Sequence, residues 1–159
     1  MFASGGLFHR PNRFLLKARQ DVQPHWEHFE HGADIGVRGL APTKAGAFEQ
    51  AALAMTAAIT PPARIRPREA VEFHCQAPDD ELLLASWLNA VIYEMASRNM
   101  LFGRFSVSLE DNRLTARALG ESTSTRRHQP AVEVKGATVT LLRVTPAHDG
   151  WLAQTVIDV

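Results

Sequence analysis

The chain has one cysteine, one tyrosine and three lysines among its 159 residues, and its 17 basic and 17 acidic side chains leave no net charge. Each shortage excludes something. A single thiol, Cys75, cannot build an intramolecular disulfide framework or a Cys-rich zinc site, and it suits a reducing compartment such as the cytoplasm. Balanced charge argues against holding nucleic acid by bulk electrostatics; no direct high-affinity nucleic-acid binding is expected, and any RNA contact must be local or made through a partner. No apolar run approaches the roughly 18–20 residues of a membrane span, so no membrane association is expected. A P-loop, a dinucleotide-binding glycine fingerprint, a zincin helix and a Gly-x-Ser-x-Gly elbow are all missing. What is present is ordinary for one folded domain: 45% hydrophobic and 21% charged residues, at a length that a single core serves.

The first acidic residue is Asp21, and Arg10, Arg13, Lys17 and Arg19 precede it among Gly, Ser and Pro. Such a start can resemble an organellar transit peptide, but no cleavage pattern accompanies it. Residues 1–23 therefore read as a mobile extension and residues 24–159 as the domain. His9, His25, His28 and His31 also lie near this end. A spacing of three shares a face only on a helix, whereas Trp26 to Glu30 reads as a strand, which argues against a histidine metal site.

The pattern then gives a second strand over Ile35 to Leu40 and a helix capped by Thr43, with the stripe Phe48, Ala52, Met55 and Ile59, stopped by Pro61-Pro62. Arg64, Arg66 and Arg68 line one side of an extended stretch, read as a solvated strand edge with phosphate contact as the alternative. Val71, Phe73 and Cys75 share a strand face, which makes Cys75 a small core residue. Asp79 caps a second helix whose stripe Leu84, Trp87, Leu88, Val91, Ile92 and Met95 ends at Asn99. A hairpin follows through Asp111-Asn112, then a loop from Gly120-Glu121 to Pro130 holding Arg126, Arg127 and His128. Strands over Val132 to Val144 and Trp151 to Asp158 close the order around His148-Asp149-Gly150. The fold class is α+β, a mostly antiparallel sheet with two helices packed on it.

Chemistry concentrates where this pattern does not require polar groups. Asp34 opens a strand in a glycine-bearing turn, where a carboxylate ordinarily bonds nearby N–H groups. Asp158 is the penultimate residue, next to the main-chain carboxylate of Val159. Two such negative groups repel unless a cation separates them, and a third carboxylate from elsewhere would complete a small oxygen-rich Ca²⁺ or Mg²⁺ site. Lys135, in a chain with fourteen arginines, reads as a sheet-face ion pair or as a point-charge contact to a ligand.

At these residues the sequence resembles the archease family. The family's opening signature, approximately Asp-His-Thr-Ala-Asp-Ile-Gly, stands here as Glu30-His31-Gly32-Ala33-Asp34-Ile35-Gly36. Ala47-Phe48-Glu49-Gln50-Ala51-Ala52, Leu83-Leu84 with Trp87-Leu88-Asn89, Gly120-Glu121, His128, Glu133-Val134-Lys135 and Val156-Ile157-Asp158-Val159 follow in order. The resemblance implies two fused strand-helix-strand-strand units and a protein that is not itself an enzyme. It implies an activator of an RtcB-type tRNA-splicing RNA ligase, promoting the guanylate adduct on the ligase histidine. It places a divalent ion, usually Ca²⁺ with Mg²⁺ or Mn²⁺ as alternatives, on Asp34, Asp158 and Val159, and makes Lys135 a functional residue, with His31, Glu121 and His128 as weaker candidates. Service as a chaperone of a tRNA methyltransferase is the runner-up, and a metal-dependent hydrolase using Asp34 and Asp158 is a third reading. Three departures stand out: Glu30 replaces the first Asp of the signature and Gly32 its Thr, changes expected to loosen the turn holding Asp34, and Val139-Thr140 replaces a Tyr-His pair.

Overall fold

The structure, a computed structural model, describes residues 22–159. The expected N-terminal extension falls almost wholly outside them, as does His9. Among the described residues the order is β1 (His25–His31), β2 (Asp34–Ala41), α1 (Lys44–Ile59), β3 (Glu69–Gln76), α2 (Asp80–Arg98), β4 (Met100–Glu110), β5 (Arg113–Ser122), the single helical turn α3 (Thr125–His128), β6 (Gly136–Ala137), β7 (Arg143–Ala147) and β8 (Gly150–Asp158). The fold is α+β, as expected, and every strand pairing is antiparallel. The sheet divides in two. One runs β1-β2-β8-β6 with β7 also on β8; the other runs β3-β5-β4. The second grows from one contiguous strand-helix-strand-strand unit, β3-α2-β4-β5. The first is assembled from both sides of that unit, so β8, at the end of the chain, sits in its middle.

The helix ends follow local chemistry. Thr43 Oγ1 accepts from the Gly46 N–H at 3.0 Å and Asp79 Oδ1 from the Leu82 N–H at 2.8 Å. Asn99 takes the left-handed conformation (φ 53°) that closes α2. Both helices lie between the sheets. Gly39 lets α1 approach β2, because a Cβ there would stand 2.2 Å from the Ala47 carbonyl oxygen. The Thr56 hydroxyl then ties α1 to the Phe102 carbonyl of β4 at 2.9 Å. Trp87 of α2 meets Phe73 and Phe105 edge-on, with centroids at 5.2 and 5.8 Å, and its indole N–H donates to the Phe48 carbonyl. Burying such a ring contributes about 2–3 kcal/mol.

Five expectations are corrected. Arg64 does not lie on an extended stretch: Pro61 and Pro62 hold φ near the helical value, and Pro62–Arg64 forms a 3₁₀ turn. Glu121 is in β5, not in a loop, and Thr125–His128 folds as a capped helical turn. No continuous strand spans 132–144; Val132 and Val134 face the core while the chain makes the two-residue β6, and Leu141 at φ 53° breaks the run before β7. The β7-β8 turn is centred on His148-Asp149, both at positive φ as a two-residue hairpin requires, and Gly150 already pairs in the ladder. Gly32 does not loosen its turn. It sits at φ 60°, a conformation that suits glycine better than threonine, and His31 and Asp34 remain paired on either side.

Candidate functional site at the end of the first sheet

Antiparallel register brings the separated candidates to one place. Ile35 pairs with Ile157, so Asp34 and Asp158 occupy the next position along the same two strands. His31 pairs with Asp34 on the other side, and Gly136 pairs with Asp158. His31, Asp34, Asp158 and Gly136 thus form one row across four strands. Side chains alternate across a sheet. Val37 and Ile157 point into the core, so Asp34 and Asp158 point to the face turned away from α1, the face on which Arg38 bonds Gln154 and Glu27. Asp34 is half-buried and Asp158 exposed. Among the described residues neither carboxylate forms an ion pair. No three His, Cys, Asp or Glu side chains among them converge as a metal cage, so a cation here needs an oxygen from outside that set.

Lys135 reaches the same end from another direction. Its main-chain N–H donates to the Asp158 carbonyl at 2.8 Å, which sets it beside the end of β8. It lies outside a strand with its side chain exposed and in no ion pair among the described residues, which corrects the sheet-face pairing read from its neighbours.

Asn89 stands in the family match with no task evident from the sequence, and the structure supplies one. Its Oδ1 accepts from the Ala137 N–H at 2.9 Å and its Nδ2 donates to the Ala137 carbonyl at 3.1 Å. The amide thus completes the free edge of β6 as a neighbouring strand would. Glu49 of α1 does similar work on the second sheet, accepting the Val107 N–H of edge strand β4 at 3.0 Å, and burial pushes its pKa up. A lone amide between Leu88 and Ala90, away from either helix end, is the signal that could have flagged Asn89.

Glu121 and His128 belong to a different place. His128 is fully buried and the Glu121 side chain 5% exposed. The Ser124 N–H donates to His128 Nδ1 at 2.9 Å, so Nε2 carries the proton given to Glu121 Oε2 at 3.0 Å. The same carboxylate accepts from the Arg66 main-chain N–H at 2.8 Å and from the Arg127 guanidinium at 2.6 Å. Burial alone would push its pKa up; the Arg66 amide, Arg127 and His128 outweigh that and hold it at about 2. These side chains are committed to one another and pin the 62–68 segment and α3 to the end of β5. Of the strand histidines, His28 turns toward α1 and donates to the Ala54 carbonyl at 2.7 Å, so β1 presents no three-histidine face. Cys75 is half-buried against the core, and burial raises its pKa.

The fold and site together define a two-sheet α+β domain whose carboxylates gather at a sheet end. Residues 26–159 match the archease protein family (MTH1598/TM1083). The chain is 38% identical over 138 residues to the protein archease of Thermococcus gammatolerans, covering 84% of this chain and 97% of that one. It is 35% identical over 139 residues to that of Pyrococcus furiosus, covering 84% and 98%. The solution structure of Methanobacterium thermoautotrophicum protein 1598 has the same fold (TM-score 0.70, 24% identity, 84% of this chain and 98% of that one). So does a Thermotoga maritima archease described as a possible chaperone (TM-score 0.54, 20% identity, 84% and 96%). The chain belongs to the archease family.

Proposed function

We propose that this protein is a cytoplasmic, non-catalytic partner of an RtcB-type RNA ligase that promotes guanylylation of the ligase histidine and so sustains repeated turnover. The observation that carries this reading is the meeting of Asp34, Asp158 and the Lys135 segment at one sheet end, in a chain of the archease family. Two carboxylates in adjacent register without a cationic partner among the described residues suit a hard cation. Asp34, Asp158 and Val159 would hold it, Ca²⁺ first and Mg²⁺ or Mn²⁺ otherwise; when bound, it supplies positive charge for a phosphate. The chain's own residues do the rest. Lys135 offers an exposed ammonium to the nucleotide phosphates, Asn89 keeps the adjoining strand in place, and the histidine that takes the guanylate is the ligase's own. Positioning and charge neutralisation are the main needs of nucleotidyl transfer, and an accessory protein can supply both.

The test is multiple-turnover ligation by the RNA ligase of the same organism, with and without this protein. Acceleration is expected, and Asp34→Ala, Asp158→Ala and Lys135→Ala should each abolish it while leaving the unfolding transition in place. No acceleration at any ratio would refute the reading. A second reading is a chaperone of a tRNA methyltransferase; the Thermotoga maritima relative is described as a possible chaperone, and the client is what the family resemblance implies. It predicts co-purification with a methyltransferase instead of a ligase.

A further inference from the structure

A second feature lies away from the carboxylate end. Glu121 draws together two arginine runs that are separate in sequence. It bonds the Arg66 amide and the Arg127 side chain directly, and Arg68 Nε stands 4.0 Å from its Oε1. The Arg68 N–H also donates to the Gly120 carbonyl at 3.0 Å, which seats the 62–68 segment along the end of β5. Arg126 is the neighbour of Arg127 on α3. Arg104 lies across β5: it pairs with Leu119, which pairs with Ala70, so Arg104 shares the outer face of the second sheet with Arg68. Arg64 joins from the turn before Ile65, against which Gly103 of β4 is packed. All six arginines are exposed, whereas the carboxylate that assembles them is 4% exposed. Exposed Glu69, next to Arg68, and Glu72, occupied by Arg117 at 3.6 Å, do not offset the surplus.

We propose that this arginine patch binds the phosphodiester backbone of a nucleic acid. The charge spans two strand spacings, about 10 Å, and continues onto α3, which is too extended for one carboxylate or one free phosphate and fits a run of phosphates. Every cation in it is a guanidinium, the group that matches phosphate oxygens with paired donors. Protein interfaces have an apolar centre, and nucleic-acid interfaces are polar and positive. The large apolar side chains exposed among the described residues, Trp26, Leu82, Tyr93, Val139 and Leu141, belong to other elements. With no aromatic to stack on bases, the patch reads backbone and not sequence. Such local binding is compatible with a chain of zero net charge, and it does not rest on the ligase reading.

The test uses the full chain and a labelled 20-nucleotide single-stranded RNA, with DNA of the same sequence, by fluorescence anisotropy at 50 and 200 mM salt. Binding indifferent to sequence and weakened by salt is expected, and the preference between the two strands tells which nucleic acid is favoured. The triple variant Arg66→Gln, Arg68→Gln, Arg126→Gln should bind about tenfold more weakly. Its log K against log salt should be shallower by about 2, three phosphates at roughly 0.7 each. Its fold should survive, because residues 66 and 68 hold β5 through main-chain N–H groups. Glu121→Gln removes a negative charge from beneath the patch and loosens the assembly, so weaker binding by this variant marks Glu121 as the organiser, and tighter binding refutes that role. No binding at 50 mM salt, unchanged binding by the triple variant, or equal competition by a polyglutamate peptide would overturn the proposal.

Discussion

Asn89→Ala isolates what the helix does for the functional edge. The variant removes the acceptor for the Ala137 N–H and the donor to the Ala137 carbonyl, at 2.9 and 3.1 Å. Its third bond, to the Ala85 carbonyl, lies within α2 and is replaceable by water. Two hydrogen bonds at about 0.5–1.5 kcal/mol each give a loss of about 1–3 kcal/mol, with the lower half favoured because the site is partly exposed and water can satisfy the freed groups. At about 2–4 °C per kcal/mol for a domain of this size, the melting temperature falls by roughly 2–8 °C. Location is the sharper measurement. Hydrogen exchange followed by NMR should show the Ala137 amide losing protection while the Lys135 amide, bonded to Asp158, and the amides in the middle of α2 keep theirs. Under the proposed function, stimulation of ligase turnover should fall with the loss at β6. Wild-type protection at Ala137, or a stability loss under about 0.3 kcal/mol, would refute the clamp.

Three further outcomes follow from the packing and the charges. Glu121 has its pKa held at about 2 against an ordinary 4.5, so its stabilising contribution is complete above about pH 4.5 and is lost as pH falls toward 2. Denaturant titrations across that window should show this loss, and Glu121→Gln should flatten it; an equally steep profile in the variant would refute the assignment. Gly120→Ala places a Cβ 1.9 Å from the Leu101 carbonyl oxygen, a backbone contact that cannot swing aside. It should cost about 2 kcal/mol or more in chemical denaturation, and a neutral result would mean that β4 and β5 are not so close. Removing Asp34 or Asp158 relieves a like-charge contact, so without divalent cation either alanine variant should be at least as stable as the parent, whereas added Ca²⁺ should raise the melting temperature of the parent alone. Equal stabilisation of all three proteins would rule out a cation on these carboxylates.

Residues that act through local conformation were legible from the chain itself. Thr43, Asp79 and Asn99 end helices through side chains and dihedrals set within four residues, and they stand where the pattern placed them. The stripes of α1 and α2 and the alternation of β3, β4 and β5 follow from the two periods of the backbone, whereas the interior strands β2 and β8 are buried almost continuously. The carboxylate end was legible in part: Asp34 and Asp158 were singled out as misplaced polar groups, but their shared row depends on a pairing 122 residues apart in register, Ile35 with Ile157. Alternation misled at 132–144, because Val132 and Val134 pack under helix ends in a period of two without entering a ladder. Periodicity reports which side chains are buried, not what buries them.

Sequence by itself determined the α+β class, the boundaries of α1 and α2, the lack of a disulfide framework and the set of polar residues with no structural excuse. Tertiary structure decided that the sheet is two sheets, that β8 lies between strands from both halves of the chain, and that Asn89 secures the strand beside Lys135. It also sorted the candidates, sending Asp34, Asp158 and Lys135 to an open sheet end and burying Glu121 with His128 beneath a ring of arginines. The physical reason is one of range. Caps, turns and periods are settled by neighbours a few residues away, whereas register between distant strands is set by which faces can share a core, and that depends on the whole chain at once.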